Sequence, residues 1–210
     1  MREKNYNEQR TKANFAAKEE KKMRIFETER LFLRPWEDSD AESLYEYAKD
    51  ERIGSAAGFP PHQSVEDSLR VIRSVLSEPE TYAVCLKSDN RAIGSIGLML
   101  GNAGNLTMPD TEGEIGYWIG VPFWGQGLIP EAVRALIRYG FEELHLERLW
   151  CGYFDGNEKS RRVQEKCGFL YHHTNSDIYW KQIDRTLNEH VTCLEKQRYA
   201  ELYAGTRSEH

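Results

Sequence analysis

The feature that most constrains this chain is the passage "EIGYWIGVPFWGQGLIPEAVRALIRYGFEEL", residues 114–144. It opens as an apolar strand with glycines inside it and near its end, Gly116 and Gly120. It then passes through Gly125 and Gly127 into an amphipathic helix. Ala132, Val133, Leu136, Ile137, Gly140, Phe141 and Leu144 recur at the helical period and form one apolar face. A strand that runs through a glycine turn into such a helix must pack the helix back on its own sheet. That demands a layered α/β arrangement.

The glycines carry a second implication. A helix N-terminus presents unpaired N–H groups and a partial positive charge. Pro130 suits the first turn, where its missing N–H does no harm, and Glu131 suits the dipole. Side chains absent at Gly125 and Gly127 would let an anion touch the backbone. A plain strand-to-helix turn would also use glycine for conformational freedom. The stretch is not a P-loop, because GK[ST] is absent, and it is not G-x-G-x-x-G. Glycine within a strand marks a bulge or a close backbone approach. A bulged strand leaves amides for an extended ligand. Phosphate at the helix and an amide-bearing arm along the strand describe coenzyme A.

The rest of the chain fits one layered domain. "MRIFETERLFLRPW" reads as a strand stopped by Pro35. Ser39 with Glu42 predicts a capping box, with Leu44, Tyr45 and Ala48 on one helix face. "GSAAGFPPHQ" reads as a loop. Ser64 and Asp67 predict a second cap, followed by Leu69, Ile72 and Val75 at helical spacing. "TYAVCLK" and "AIGSIGLML" are strands around an "SDN" turn, and "GNAGNLTMPDT" is a loop. "LERLWCGYF" is a strand, "NEKSRRVQEKCGF" a short helix ended by Gly168, and "DIYWKQI" with "EHVTCLEK" a last strand pair. The predicted order is β-α-α-β-β-β-α-β-α-β-β. The fold class is mixed α/β (α+β), a largely antiparallel central sheet flanked by helices.

Residues 1–22 are polar and rich in Lys and Glu, and read as a helical or disordered extension. The domain is expected over residues 23–200, with a tail at 201–210. The extension holds seven Lys/Arg against four Asp/Glu, so the remainder carries −9 of a total −6. An acidic body disfavours nucleic acid as a partner and favours cationic ones. No apolar run reaches the roughly 18 residues of a membrane span, and the first residues lack a signal-type apolar core. Cys85, Cys151, Cys167 and Cys193 show no C-x-x-C spacing and read as buried free thiols in a reducing cytoplasm. His172 and His173 lack ligand-spaced partners, and no metal is expected.

"EIGYWIGVPFWGQGLIPEAVRALIRYGFEELHLERL" followed by "NEKSRRVQEKCGF" resembles the GNAT N-acetyltransferase superfamily, in the RimJ/RimL-like branch. "ETERLFLRPWEDSDAESL" resembles that branch's opening strand and helix. The resemblance runs from Met23 to about Cys193. It implies an acetyl-CoA-dependent N-acetyltransferase that transfers acetyl to a primary amine, on a protein N-terminus or a small molecule, by direct attack in a ternary complex. It implies that backbone around Trp118, Ile119 and Val121 pairs with the pantetheine arm. Amides of Gly125, Gln126, Gly127, Leu128 and Ile129 would hold the pyrophosphate. Asn157 and Ser160 match the family's N-x-x-S/A step near the thiol. Trp124 and Ile129 depart from the [QR]-x-x-G-x-[GA] pattern. The tyrosine acid that many relatives place seven residues after the Asn is replaced by Gln164.

Glu114 matches a position where relatives place an acidic base; a solvated strand-end carboxylate is the plainer reading. Ser160 is a candidate to protonate the thiolate, or an ordinary helix N-cap. His62 is a candidate on the acceptor side, or a solvated loop histidine. Arg161 and Arg162 are candidates for the 3′-phosphate, or a solvated helix face. Tyr45, Tyr47, Trp36, Trp118, Trp124 and Trp150 would line an acceptor pocket or sit in the core. The rival function is a catalytically silent acyl-CoA-binding regulatory module. A structural domain whose turn binds nothing is the third. Monomer and homodimer are both compatible with the sequence.

Overall fold

The computed structural model describes residues 24–106 and 108–203; the proposed extension at 1–22 lies outside the described residues. Eight strands form one sheet: β1 (Phe26–Glu27), β2 (Leu31–Arg34), β3 (Thr81–Leu86), β4 (Ala92–Leu100), β5 (Glu112–Ile119), β6 (Arg148–Phe154), β7 (Leu170–Trp180) and β8 (Arg185–Glu195). Their order in space is β1-β2-β3-β4-β5-β6-β8-β7. Every neighbouring pair is antiparallel except β5–β6. Six α-helices accompany it among the described residues: α1 (Ala41–Ala48), α2 (Glu51–Ala57), α3 (Val65–Ile72), α4 (Leu128–Arg138), α5 (Glu158–Lys166) and α6 (Lys196–Tyr203). The mixed, largely antiparallel fold class is as the sequence predicts. The last helix carries regular structure to Tyr203, beyond the expected boundary at 200.

The sheet is covered on both faces. One core joins α4 residues Ala132, Val133, Leu136 and Ile137 to Leu31, Leu33, Ile93, Ile115, Leu149 and Leu194 of the sheet. The other joins Ala41, Leu44 and Ala48 of α1 and Ile72 of α3 to Trp36, Ala83, Cys85 and Ala92. All four cysteines are buried and free. Among the described residues, no helix is long and apolar enough to cross a membrane.

Several local expectations need correction. The Ser39–Glu42 capping box is not formed. A 3₁₀ turn (Asp38–Asp40) comes first, with a reciprocal cap between Glu37 and Asp40. Its cause is charge burial. Arg34 is buried in β2 and needs a counterion, and Asp40 accepts from it at 2.7 and 2.8 Å. "GSAAGFPPHQ" is not all loop, since its first four residues complete α2. Asp50 caps that helix through the Arg52 amide, and Gly58 (φ 78°) ends it in the left-handed region. The helix after the glycine turn is α-helical only to Arg138 and continues as a π turn (Tyr139–Glu143). Ser64 does cap α3, accepting from the Asp67 amide at 3.1 Å.

The expected bulge in β5 is also absent. Its register with β4 is continuous from Gly113 to Ile119. The glycine near its end serves a close approach instead, because a Cβ at Gly120 would lie 2.7 Å from the Tyr47 ring.

Candidate active site

Gly125 (φ 76°) and Gly127 (φ 77°) both lie in the left-handed region. Neither is crowded. A Cβ at Gly125 would meet nothing within 4 Å, and one at Gly127 would meet only Arg30 Nη2, at 3.7 Å. Backbone conformation, not internal packing, therefore demands glycine at these two positions. The space beside them is open. Gln126 folds back, its Nε2 donating to the Pro122 carbonyl at 2.9 Å. The first amides of α4, at Leu128 and Ile129, begin where the turn ends.

The turn is braced from the opening of the chain. Arg30 Nη1 donates to the Gln126 carbonyl at 3.0 Å. Its Nε and its backbone amide donate to Glu131, and Thr28 Oγ1 does so at 2.6 Å. Burial pushes the Glu131 carboxyl up, but these donors outweigh it and hold it below the usual range. Sequence reading placed Glu131 on the helix dipole; it did not find Arg30. Lys159 supplies a second cation near the turn, with Nζ 4.5 Å above the Trp124 ring.

Next to the turn the sheet divides. β5 and β6 pair only from Glu112 to Glu114, opposite Arg148 to Trp150. β6 then stays with β8 as far as Phe154. The Gly120 amide donates to Ile93 in β4. By strand alternation the backbone groups of Trp118 face β4, while those of Ile115, Tyr117 and Ile119 face the gap. At the closed end Cys151 Sγ contacts the Ile115 carbonyl at 3.1 Å. At the open end Trp124 Nε1 donates to the Ile119 carbonyl at 2.9 Å. Backbone edge toward the gap is thus supplied by strand divergence, the role the sequence reading gave to a bulge.

Polar side chains gather across the gap. Asn157, not Ser160, is the N-cap of α5: its Oδ1 accepts from the Ser160 amide at 3.1 Å, and its Nδ2 donates to Ala56 of α2 at 3.2 Å. Ser160 occupies the third helical position and shares a hydrogen bond of 2.9 Å with the Tyr117 hydroxyl. Gln164 Nε2 donates to Ser160 Oγ at 3.1 Å and to the Gly152 carbonyl at 3.0 Å. Gln164 Oε1 accepts from Thr192 at 2.7 Å. A tyrosine hydroxyl therefore reaches this helix from β5, although α5 itself has none. Burial pushes the Tyr117 phenol well above its ordinary range, so it stays protonated. The sequence signal for it is an aromatic residue inside the glycine-bearing strand.

On the opposite face stands Glu114, 4% exposed. Its Oε2 accepts from the Asn105 and Leu106 amides at 2.8 and 3.1 Å. Burial raises its pKa; the two amides work against that, and the charge of Glu189 adds to it. It is not a solvated strand end. Trp118 lies on this face with Phe59, ring centroids 5.8 Å apart, and Phe59 meets His62 at the same separation. His62 Nδ1 is hydrogen-bonded to Ser68 at 2.8 Å, which fixes the loop to α3. Trp36 is buried core, and Trp150 donates to Glu112 at 2.6 Å. Arg161 is taken by Glu158 and Glu165 on the outer face of α5, and Arg162 is exposed. Among the described residues, no three His, Cys, Asp or Glu side chains are placed to hold a metal.

A half-open α/β sheet with a helix N-terminus and a glycine turn at its mouth suits an extended ligand that carries an anionic group. The family model of the acetyltransferase (GNAT) domain matches residues 30–170. A Bacillus subtilis protein named putative ribosomal N-acetyltransferase YdaF is 36% identical over 149 residues, covering 68% of this chain and 79% of its own. The uncharacterized N-acetyltransferase p20 of Bacillus licheniformis is 28% identical over 183 residues, 85% of this chain and 99% of its own. An acetyltransferase of the GNAT family from Bacillus anthracis superposes with a TM-score of 0.72 at 22% identity, covering 83% of this chain and 99% of its own. The chain belongs to the GNAT acetyltransferase family, and its class is that of an acyltransferase.

Proposed function

We propose that the protein uses acetyl-CoA to acetylate a primary amine, by direct attack in a ternary complex. The observation that carries this is the early divergence of β5 from β6 directly beside the paired left-handed glycines. The fit is physical. The space beside Gly125 and Gly127 is open at the start of α4, with the α4 dipole and the Arg30 and Lys159 cations close by, so the amides from Gly125 to Ile129 suit the pyrophosphate. The edge at Trp118, Ile119 and Val121 runs along the gap, with Ile119 turned into it. Asn157 and Ser160 line its other side. The family implies acetyl-CoA, which when bound supplies acetyl as a thioester.

The side chains divide the remaining work. Glu114 accepts a proton from the entering ammonium, a task for which burial, by raising its pKa, makes it a stronger base than an exposed glutamate. The amine lone pair then forms the C–N bond as the C–S bond breaks. The Tyr117 hydroxyl, oriented by Ser160, gives its proton to the departing sulfur. The proton lost by the new amide nitrogen restores the phenol. The four buried free thiols agree with work in a reducing cytoplasm.

The test is release of free thiol from acetyl-CoA with a panel of amines. The YdaF name makes ribosomal-protein N-terminal peptides the first acceptors to assay. Acceptor-dependent thiol release is expected. Acetyl-CoA binding by calorimetry without release on any amine would instead identify a silent acyl-CoA-binding module.

A further inference from the structure

Glu189 stands on β8, far from Glu114 in sequence. Sheet register places them on one face: Glu114 opposes Trp150, Gly152 opposes Val191, and Phe154 opposes Glu189. The Glu189 side chain lies back over β6. A Cβ at Gly152 would stand 2.6 Å from its Oε1, so Gly152 provides the room that this carboxylate occupies. Glu189 is 5% exposed. Asn175 Nδ2 donates to its Oε2 at 3.3 Å, and both Asn175 and the neighbouring His173 work against the upward push of burial on its pKa. Among the described residues, no protein donor reaches Oε1. No sealed side-chain oxygen among the described residues lacks a partner, so this atom keeps some exposure to solvent. Glu114 is held more fully, because both amides of the 105–106 loop go to Oε2 and the Asn105 side chain also hydrogen-bonds the carboxylate.

Two nearly buried carboxylates on one face of the sheet, with the charge of Glu189 acting on Glu114 and Glu189 Oε1 without a donor among the described residues, are costly without a cation. We infer that Glu189 is a specificity-determining residue that holds the acceptor as a cation beside Glu114, selecting amines that arrive protonated. This rests on the reading that the acceptor approaches Glu114. One carboxylate can then take the proton while the other keeps the site's charge balanced. Phe59, Trp118 and the Phe154–Trp180 pair, 5.0 Å apart, lie on the same face as apolar walls that suit a cation.

The test compares wild type with Glu189→Gln and Glu189→Ala. Acceptors are a protonated primary amine, chosen as the best of the panel, and hydroxylamine, which is neutral at the assay pH. The trimethylated counterpart of the best amine, which cannot be acetylated, serves as a binding probe in calorimetry. Glu189→Gln should raise KM for the protonated amine about 10- to 100-fold, the scale of a lost charge-assisted contact, with a much smaller change in kcat. KM for hydroxylamine should barely move, and the trimethylated probe should lose affinity in parallel with the amine. Unchanged KM and probe affinity in a folded Glu189→Gln protein would overturn the inference, even with wild-type activity intact. Equal losses on both acceptors would also overturn it, since they would show a structural role. If wild type acetylates neither acceptor, the acetyltransferase reading fails first; the trimethylated counterparts of the panel amines then decide the cation site alone by calorimetry.

Discussion

Arg30 donates to the Gln126 carbonyl at 3.0 Å while its Nε holds Glu131 at 2.7 Å, so one guanidinium fastens both sides of the glycine turn. The loop before β2 thus fixes the entry of α4. Arg30→Ala should weaken acetyl-CoA binding several-fold in calorimetry, with only a modest loss of melting temperature. Its partner predicts a pH effect. Glu131 is held below its ordinary range, so its contribution is present above about pH 4.3 and fades as pH falls through the lower folded value. Melting curves of Glu131→Gln should therefore differ from wild type at pH 7 and converge with it in acid. Parallel curves at all pH values would remove the role given to this carboxylate.

Gly127 tests the open space beside the turn. With φ at 77°, Gly127→Ala should cost roughly 1–2 kcal/mol from left-handed strain, without a clash. Gly127→Glu adds a charge where phosphates are proposed to lie. It should abolish measurable acetyl-CoA binding while far-UV circular dichroism still shows a folded protein. Unchanged affinity would remove the pyrophosphate assignment.

What the sequence made legible was local. The Ser64 cap, the Gly168 helix stop and the face of α4 depend on neighbours a few residues apart, and periodicity reports these directly. The Arg34–Asp40 pair was missed because the capping pattern weighs hydrogen bonds, not the cost of a buried guanidinium. Tyr117 and Ser160 are 43 residues apart, and only the return of β6 beside β5 brings them together. Glu189 was read as the first residue of a strand. Its meaning depends on the β6–β8 register and on the missing side chain at Gly152, neither of which a linear pattern contains.

Tyr117 yields a prediction with a distinct pH signature. Tyr117→Phe removes one hydroxyl, and Ser160 Oγ keeps its bond from Gln164, so the fold should hold. Turnover should fall roughly 10²-fold, within the range of general acids. Because the phenol titrates well above its ordinary range, it stays protonated throughout a normal assay window. The loss should therefore be the same at pH 6 and pH 9. A loss that vanishes at either end of the window would assign the effect to another group.

Glu114 joins activity to stability with opposite signs. General-base contributions are typically about 10²–10⁴-fold, so Glu114→Gln should lose about that much turnover at neutral pH. Acetyl-CoA affinity should hold, because Glu114 lies on the face away from Ser160 and Gln164. The loss should shrink as pH rises and more amine arrives unprotonated. Stability should run the other way. The folded pKa of Glu114 is raised, mainly by burial, so the folded state binds more protons than the unfolded state between the two values. Wild type then loses stability as pH rises from the ordinary glutamate range through the folded pKa. Glu114→Gln carries no such charge, and its amide can still accept from Asn105 and Leu106 through its oxygen. It should melt close to wild type in acid and above it at pH 8. A variant that is inactive and also less stable at pH 8 would show that the carboxylate holds the 105–106 loop in place, and that amine deprotonation must be assigned elsewhere.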